Sequence, residues 1–473
     1  MTTGSTIGWA GLQEALAGEV ALPGSPAYDR SPRPFNARFD QVRPQAVVWC
    51  ATPEDVAETV SFARRHGLAM AIRSGGHGFS DHSVTQGVLL DVTPMASVTV
   101  DGEVARVGAG TRLGQLTQAL RAQDRTMPTG TCPAVGVAGL TLGGGLGLLG
   151  RSYGLTSDQL LAAEIVLADG RRIDCDEQHD PELFWALRGA GSGQFGVVTS
   201  LAFRLRRPPQ ATNFRLVWPV AQAGAVIAAW QGWAPTAPDE LAASLVLATP
   251  PEPDRPPTVV VFGVLVGGDA GGLLEQLVDR VGAAPASTFA EHLSWWETLE
   301  RWGRLDHLAS DPAGLAPPDR PGSPGYRVIR SEFFARPLPP EAIAALVEHL
   351  QQDRAAGEAR ELDFTPWGGA YARVPAAATA FVHRDPIFSL KHAVVVDPGA
   401  STAAKRAAHR WADRSWSTVR PWGSGGVFPN FADPELEDWA GAYYGDNLDR
   451  LLDVKARYDP GNVFRSRQSL PVR

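Results

Sequence analysis

Two nucleophilic side chains stand beside glycine-rich stretches. His77 lies in Arg73-Ser74-Gly75-Gly76-His77-Gly78-Phe79-Ser80, and Cys132 lies just ahead of a cluster in which seven of the fifteen residues from Gly136 to Gly150 are glycine. An imidazole or a thiolate can form covalent adducts. Glycine turns let backbone N–H groups approach an anionic pyrophosphate closely. On the residues alone, the cluster reads equally as a ligand cradle or a bare turn, His77 as a turn histidine and Cys132 as a small buried thiol. Two segments match G-x-G-x-x-G formally: Gly145 to Gly150, with Asp169 beyond it, and Gly191 to Gly196. A dinucleotide site needs that motif directly between a strand and a helix. The first match follows more glycines and runs into Arg151-Ser152-Tyr153-Gly154, so a Rossmann site is disfavoured.

The elements that must carry these residues follow from periodicity. AVVWC, then a helix opened at Thr52-Pro53-Glu54-Asp55, then an apolar run ending at Gly75-Gly76 make a βαβ-like unit. Leu160 to Cys175 reads as a hairpin turning at Asp169-Gly170. Asp180-Pro181 opens a helix, and the strand from Phe195 stops at prolines. Beyond residue 206, strand runs (LAASLVLAT, TVVVFGVLVGG) and helix runs (GGLLEQLVDRVG, PPEAIAALVEHLQQ) form a second grammar, interrupted by proline-rich loops at TPPEPDRPP and DPAGLAPPDRPGSPG.

With 473 residues, about three domain units or two large ones are expected. A net charge of −8 supplies no footprint for nucleic acid or anionic lipid. The first twenty residues lack a basic and apolar signal pattern, and no run of 18 apolar residues occurs, so a cytoplasmic location with no membrane span is expected. Cys50, Cys132 and Cys175 make neither a disulfide framework nor a zinc spacing, so no metal is expected.

Four ordered blocks carry a specific likeness: Arg73 to Ser80, Thr131 to Gly170, Leu183 to Leu205 and Tyr443 to Phe464. Together they resemble the berberine-bridge-enzyme-like FAD-linked oxidases of the vanillyl-alcohol-oxidase superfamily. The resemblance implies an α+β, two-domain FAD-binding fold of the p-cresol-methylhydroxylase type with a separate α+β substrate domain. Residues 1–205 would bind FAD, 206–424 the substrate, and 425–473 would complete the FAD domain. It implies bicovalent FAD, with His77 bonded to the 8α-methyl and Cys132 to C6. Cofactor contacts are implied at Arg73, Ser74, Gly75, Gly76 and Gly78. They continue through Val135, Gly136, Val137, Ala138, Gly139, Leu142, Gly143 and Gly144, and end at Asp158, Val197, Val198 and Asn462. For Asp158, turn capping stands level with a cofactor role. Val135 would leave dioxygen access to the flavin.

The chain departs from the family where substrate is activated. Phe431 in Pro429-Asn430-Phe431-Ala432-Asp433 replaces a catalytic Tyr, and Leu146 replaces its partner in the glycine cluster. A Glu used by plant members falls at about Leu390. His392 shares that strand parity and becomes the expected base, with an imidazole suited to proton abstraction near neutrality. Lys391 would then point away from the flavin; Tyr371 and Tyr153 are further candidates. Tyr443 and Tyr444 read as helix packing, Trp295, Trp296, Trp302 and Trp367 as core or cleft aromatics, and Cys50 and Cys175 as structural. The expected reaction is O2-dependent oxidation of a small organic substrate, a secondary metabolite with an aromatic or polycyclic body, by dehydrogenation or oxidative cyclisation. Carbohydrate oxidation is the alternative.

Overall fold

A computed structural model describes residues 7–191, 193–303 and 325–473. Of the two proline-rich loops, the second lies outside the described residues up to Gly325. The first sheet holds β1 (Glu19–Ala21), β2 (Ala46–Trp49), β3 (Met70–Arg73) and β4 (Val88–Asp91), in the order β1-β2-β4-β3. β2 and β3 both pair with β4 in parallel, as the βαβ pattern requires. The crossover helix α1 (Pro53–Arg65) starts where expected, because Thr52 accepts from the Asp55 N–H and Asp55 accepts from the Thr52 N–H, a reciprocal capping box.

The second sheet, β5 (Val98–Asp101), β6 (Val104–Gly108), β7 (Leu160–Val166), β8 (Arg172–Cys175) and β9 (Val197–Arg204), is antiparallel in the order β5-β6-β9-β7-β8. The expected hairpin is the β7–β8 pair. Between β6 and β7 runs the glycine cluster. It contains one feature its composition hid: Val137–Leu142 folds into a short helix, its Thr141 hydroxyl donating back to the Val137 carbonyl. The formal motif at Gly145 to Gly150 leads only into a single helical turn, Gly150–Tyr153.

The third sheet has seven antiparallel strands: β10 (Gln210–Pro219), β11 (Leu241–Thr249), β12 (Thr258–Val266), β13 (Ser287–Ser294), β14 (Tyr326–Phe334), β15 (Glu358–Pro366) and β16 (Phe388–Val396). Their order is β13-β10-β12-β11-β15-β16-β14. One face is covered by α2 (Ala223–Trp233), α3 (Pro340–Gln351) and α4 (Thr402–Val419), which bury Trp218, Leu247, Phe364 and Leu390 against Trp230, Leu346 and Ala412. Each such large side chain contributes about 1.5–3 kcal/mol by leaving water. The opposite face meets the glycine cluster: Phe262 and Val246 pack on Leu149, and Phe333 and Trp367 on Leu155.

The chain ends by returning to the first core. In α5 (Leu448–Tyr458), Lys455 is fully buried and donates at 2.7 Å to each of Asp459, the Gln194 carbonyl and the Phe464 carbonyl. Among the described residues no helix is long and apolar enough to cross a membrane. Removing the cation would strand the buried Asp459 carboxylate, so Lys455→Met is expected to cost roughly 3–5 kcal/mol in urea unfolding; a loss under about 1 kcal/mol would show that the pair is not what anchors α5.

Candidate active site

β3 delivers the loop Ser74 to Gly78, and the turn before Val137–Leu142 delivers Cys132 to Gly136. The two loops touch backbone to backbone. A Cβ on Gly75 would stand 2.2 Å from the Gly136 nitrogen, and one on Gly136 would stand 2.3 Å from the Gly75 nitrogen. Only glycine at both positions permits this approach. Ser74 ties its loop to the Ala109 carbonyl at 2.7 Å. The result is that Cys132 Sγ lies 3.5 Å from His77 Nε2, and the His77 ring stacks on Phe35 with centroids 3.7 Å apart.

Both nucleophiles face a cavity of 410 Å³. Its wall includes Ser74, Gly75, Gly76 and Gly78 from the first loop, and Val135, Gly136, Ala138, Gly139 and Leu142 from the second. Val198 closes the far side. At Gly139 and Gly191 a Cβ would meet nothing within 4 Å and would project into open space, so the cavity is a cradle that side chains would fill. These features fit an elongated cofactor with an anionic centre. Cys50 and Cys175 contrast with Cys132: both are buried, and desolvation pushes each thiol up to about 12, leaving them inert.

A second cavity of 230 Å³ opens on the uncovered face of the seven-stranded sheet. The two cavities share Gly130, Thr131, Leu146, Asp363 and Lys391 in their walls. Lys391 Nζ lies 2.9 Å from Asp363 and 3.1 Å from Glu361, and 5.3 Å from the centre of the Phe431 ring. Burial opposes the charge on this amine, yet Asp363 and Glu361 outweigh it and hold the ammonium above the ordinary lysine range.

Several expected positions fall elsewhere. His392 faces neither cavity: it is fully buried on the helix-covered face, with Nδ1 2.8 Å from the Ser415 hydroxyl of α4, and desolvation lowers its imidazole to about 3. Lys391 takes the cavity side instead. The parity was inverted, and a one-residue offset moves every side chain of a strand to the other face. Tyr153 packs against Leu149 and Trp295 with the Arg206 guanidinium 4.5 Å over its ring, and lines neither cavity. Tyr371 does line the second cavity, but its phenol bonds the Gly147 carbonyl at 3.3 Å and burial holds it above the ordinary tyrosine range, so it is no base near neutrality.

Of the cofactor positions, Asp158 caps Leu155 and makes a buried bidentate pair with Arg384 at 2.8 and 2.9 Å. Arg73 turns away from the cavity to the Pro32 carbonyl at 2.7 Å. Val137 and Val197 are core residues, Gly143 and Gly144 press on Asn430 and Phe381, and Asn462 sits in the turn after α5. None of these borders the cavity. Conversely Tyr443 and Tyr444, read as packing, line it, their hydroxyls fixed to Gln468 and the Ala190 carbonyl. Trp302 lines the second cavity, whereas Trp367 stacks behind Tyr371. Glu361 and Asp363 were not singled out from the sequence. Their signal was present: two carboxylates at i and i+2 on β15, alternating with Leu362 and Phe364.

A glycine-walled cradle facing an imidazole and a thiol, joined to a substrate-sized cavity under a sheet, defines a flavin-dependent oxidoreductase. Sequence comparison agrees. Residues 44–176 match the family described as FAD binding domain, and residues 427–471 match Berberine and berberine like. An uncharacterized FAD-linked oxidoreductase, YvdP, of Bacillus subtilis is 32% identical over 96% of this chain and 98% of its own. Berberine bridge enzyme-like 4 of Arabidopsis thaliana is 30% identical over 90% of this chain and 84% of its own. The solved glucooligosaccharide oxidase of Acremonium strictum, described with a 6-S-cysteinyl, 8α-N1-histidyl FAD, superposes with a TM-score of 0.84 at 26% identity, covering 97% of this chain and 98% of that one. The chain belongs to the berberine-bridge-enzyme-like family of FAD-linked oxidoreductases.

Two glycine replacements separate loop contact from cradle space. Gly75→Ala is expected to force the loops apart, costing roughly 1–3 kcal/mol and most of the bound flavin. Gly139→Ala should leave the melting temperature within a degree or two while lowering the flavin-to-protein absorbance ratio; equal effects of both changes on stability would contradict this division.

Proposed function

We propose that this chain is an oxidase carrying FAD bonded to both His77 and Cys132, and that it oxidises a small organic substrate held in the second cavity. The observation that carries this reading is the shared wall: Asp363 and Lys391 border the flavin cradle and the second cavity at once. When bound, FAD supplies a hydride acceptor that dioxygen reoxidises with release of hydrogen peroxide. Val135, on the cradle wall three residues after Cys132, is the side chain assigned to oxygen access. In this reading residues 1–205 and 425–473 hold the cofactor, and 206–424 hold the substrate. The charge balance and the two inert core thiols suit a cytoplasmic setting.

Asp363 is the group that takes a proton from the substrate. Of the two titratable side chains common to both cavities, Lys391 is held charged and has no lone pair to offer near neutrality. Its ammonium instead stabilises negative charge developing on a substrate oxygen. Phe262, Trp302 and Leu148 give the cavity an apolar wall, which supports an aromatic or polycyclic body. Ser244, Thr365, Glu361 and Asp363 make its other side polar, and this favours the second reading, a carbohydrate oxidase, for which the superposed glucooligosaccharide oxidase is the precedent.

Denaturation tests the attachment: the unfolded polypeptide should remain yellow, and Cys132→Ala and His77→Ala should each keep flavin through the other bond, so a colourless wild-type chain would end the covalent reading. Peroxide release across a panel of phenols, aromatic alcohols and oligosaccharides tests the substrate class. Asp363→Asn is expected to lower kcat roughly 10²–10⁴-fold with flavin content unchanged; a variant within threefold of wild type would remove Asp363 from proton transfer.

A further inference from the structure

The loop that carries His77 is gripped from outside the cradle by a short segment of the N-terminal region. The Phe35 N–H donates to the Gly76 carbonyl at 3.0 Å, one residue before His77. The Asn36 side-chain amide donates to the Phe79 carbonyl at 2.9 Å, two residues after it. Between these bonds the Phe35 ring lies against the imidazole, with an interplanar angle of 18°. The Arg327 guanidinium carbon stands 4.4 Å from the centre of that same phenyl ring. Two groups this close to one ring centre cannot share a face, so Phe35 is sandwiched between His77 and Arg327.

Arg327 is itself positioned by β14. Asn36, which is buried, accepts from the Arg327 N–H at 3.0 Å and donates to the Arg327 carbonyl at 3.1 Å, while the Ala37 N–H donates to Gly325. A cation over an aromatic face is attracted by the ring quadrupole, which holds the phenyl in place. The stack therefore has a fixed back and a rigid middle, against which the imidazole of His77 lies flat.

We infer that Phe35, clamped by Arg327, is a positioning residue that fixes the His77 imidazole plane for covalent attachment to the flavin. This rests on the bicovalent reading above. In that attachment a carbon–nitrogen bond forms between the imidazole and the 8α carbon. The ring N–H hydrogen and one methyl hydrogen leave as two protons with two electrons, and dioxygen takes all of them to become hydrogen peroxide. Phe35 gives up and takes up no atom in this step. It limits rotation of the nucleophile, and misplacement by about 1 Å can cost on the order of 10²-fold in rate.

The test follows covalent incorporation after FAD is added to full-length protein purified from riboflavin-starved cells, scored by in-gel fluorescence and intact mass. In a Cys132→Ala background, where His77 is the sole tether, Phe35→Leu should slow attachment roughly tenfold to a hundredfold. Phe35→Tyr should restore it to within about threefold. In a His77→Ala background, where Cys132 is the sole tether, Phe35→Leu should leave attachment unchanged. Equal slowing in both backgrounds would reduce Phe35 to a structural residue and overturn the inference, as would undiminished loading in the first. If Cys132→Ala alone shows no covalent flavin while His77→Ala does, the histidyl bond itself is absent and the inference falls with it.

Discussion

The backbone contact between Gly75 and Gly136 is the constraint on which the cofactor site is built. Two loops of different origin, one leaving the parallel sheet and one entering the glycine cluster, approach more closely than any pair of residues with side chains could. That approach brings an imidazole and a thiol to 3.5 Å of each other. The glycine content of the region thus has two separate uses. Some glycines let protein meet protein, as at Gly75, and others leave room for a ligand, as at Gly139.

The seven-stranded sheet supplies the other half of the site by a division of faces. On β16 Phe388, Leu390, Val394 and Val396 enter the helix-covered core with His392, and Lys391 alone among its central residues reaches the cavities. On β15 Leu362 and Phe364 join the same core, and Glu361 and Asp363 face the ammonium. A lone carboxylate pair here would repel, and a lone buried lysine would tend to lose its proton. Here the two carboxylates hold the ammonium between them, at the boundary between the two cavities.

Much of this was legible in the sequence, for identifiable reasons. Helix α1 follows from the Thr52-Pro53-Glu54-Asp55 cap and the β7–β8 hairpin from Asp169-Gly170, both local signals, whereas the glycine cluster read equally as cradle or bare turn until the four ordered blocks were taken together. What could not be read depends on contacts distant in the chain. Asp158 was divided between cofactor and cap, and only the fold shows Arg384, 226 residues away, completing its pairing. Lys391 and His392 were exchanged because strand parity was counted from a motif rather than from the apolar residues that mark the covered face. Phe35 carries no motif; its importance comes from two partners, His77 and Arg327, that the fold brings together.

Part of the second cavity's unshared wall comes from β11 and β12, where Ala242, Ser244, Val246 and Phe262 project from paired strands. Side chains there can change size without altering the hydrogen-bonded ladder beneath them. The architecture thereby separates inheritance from innovation. A lineage can keep one oxidising centre intact and diversify its chemistry by exchanging a few residues on one sheet face, which is a route by which a single scaffold can come to serve many different metabolites.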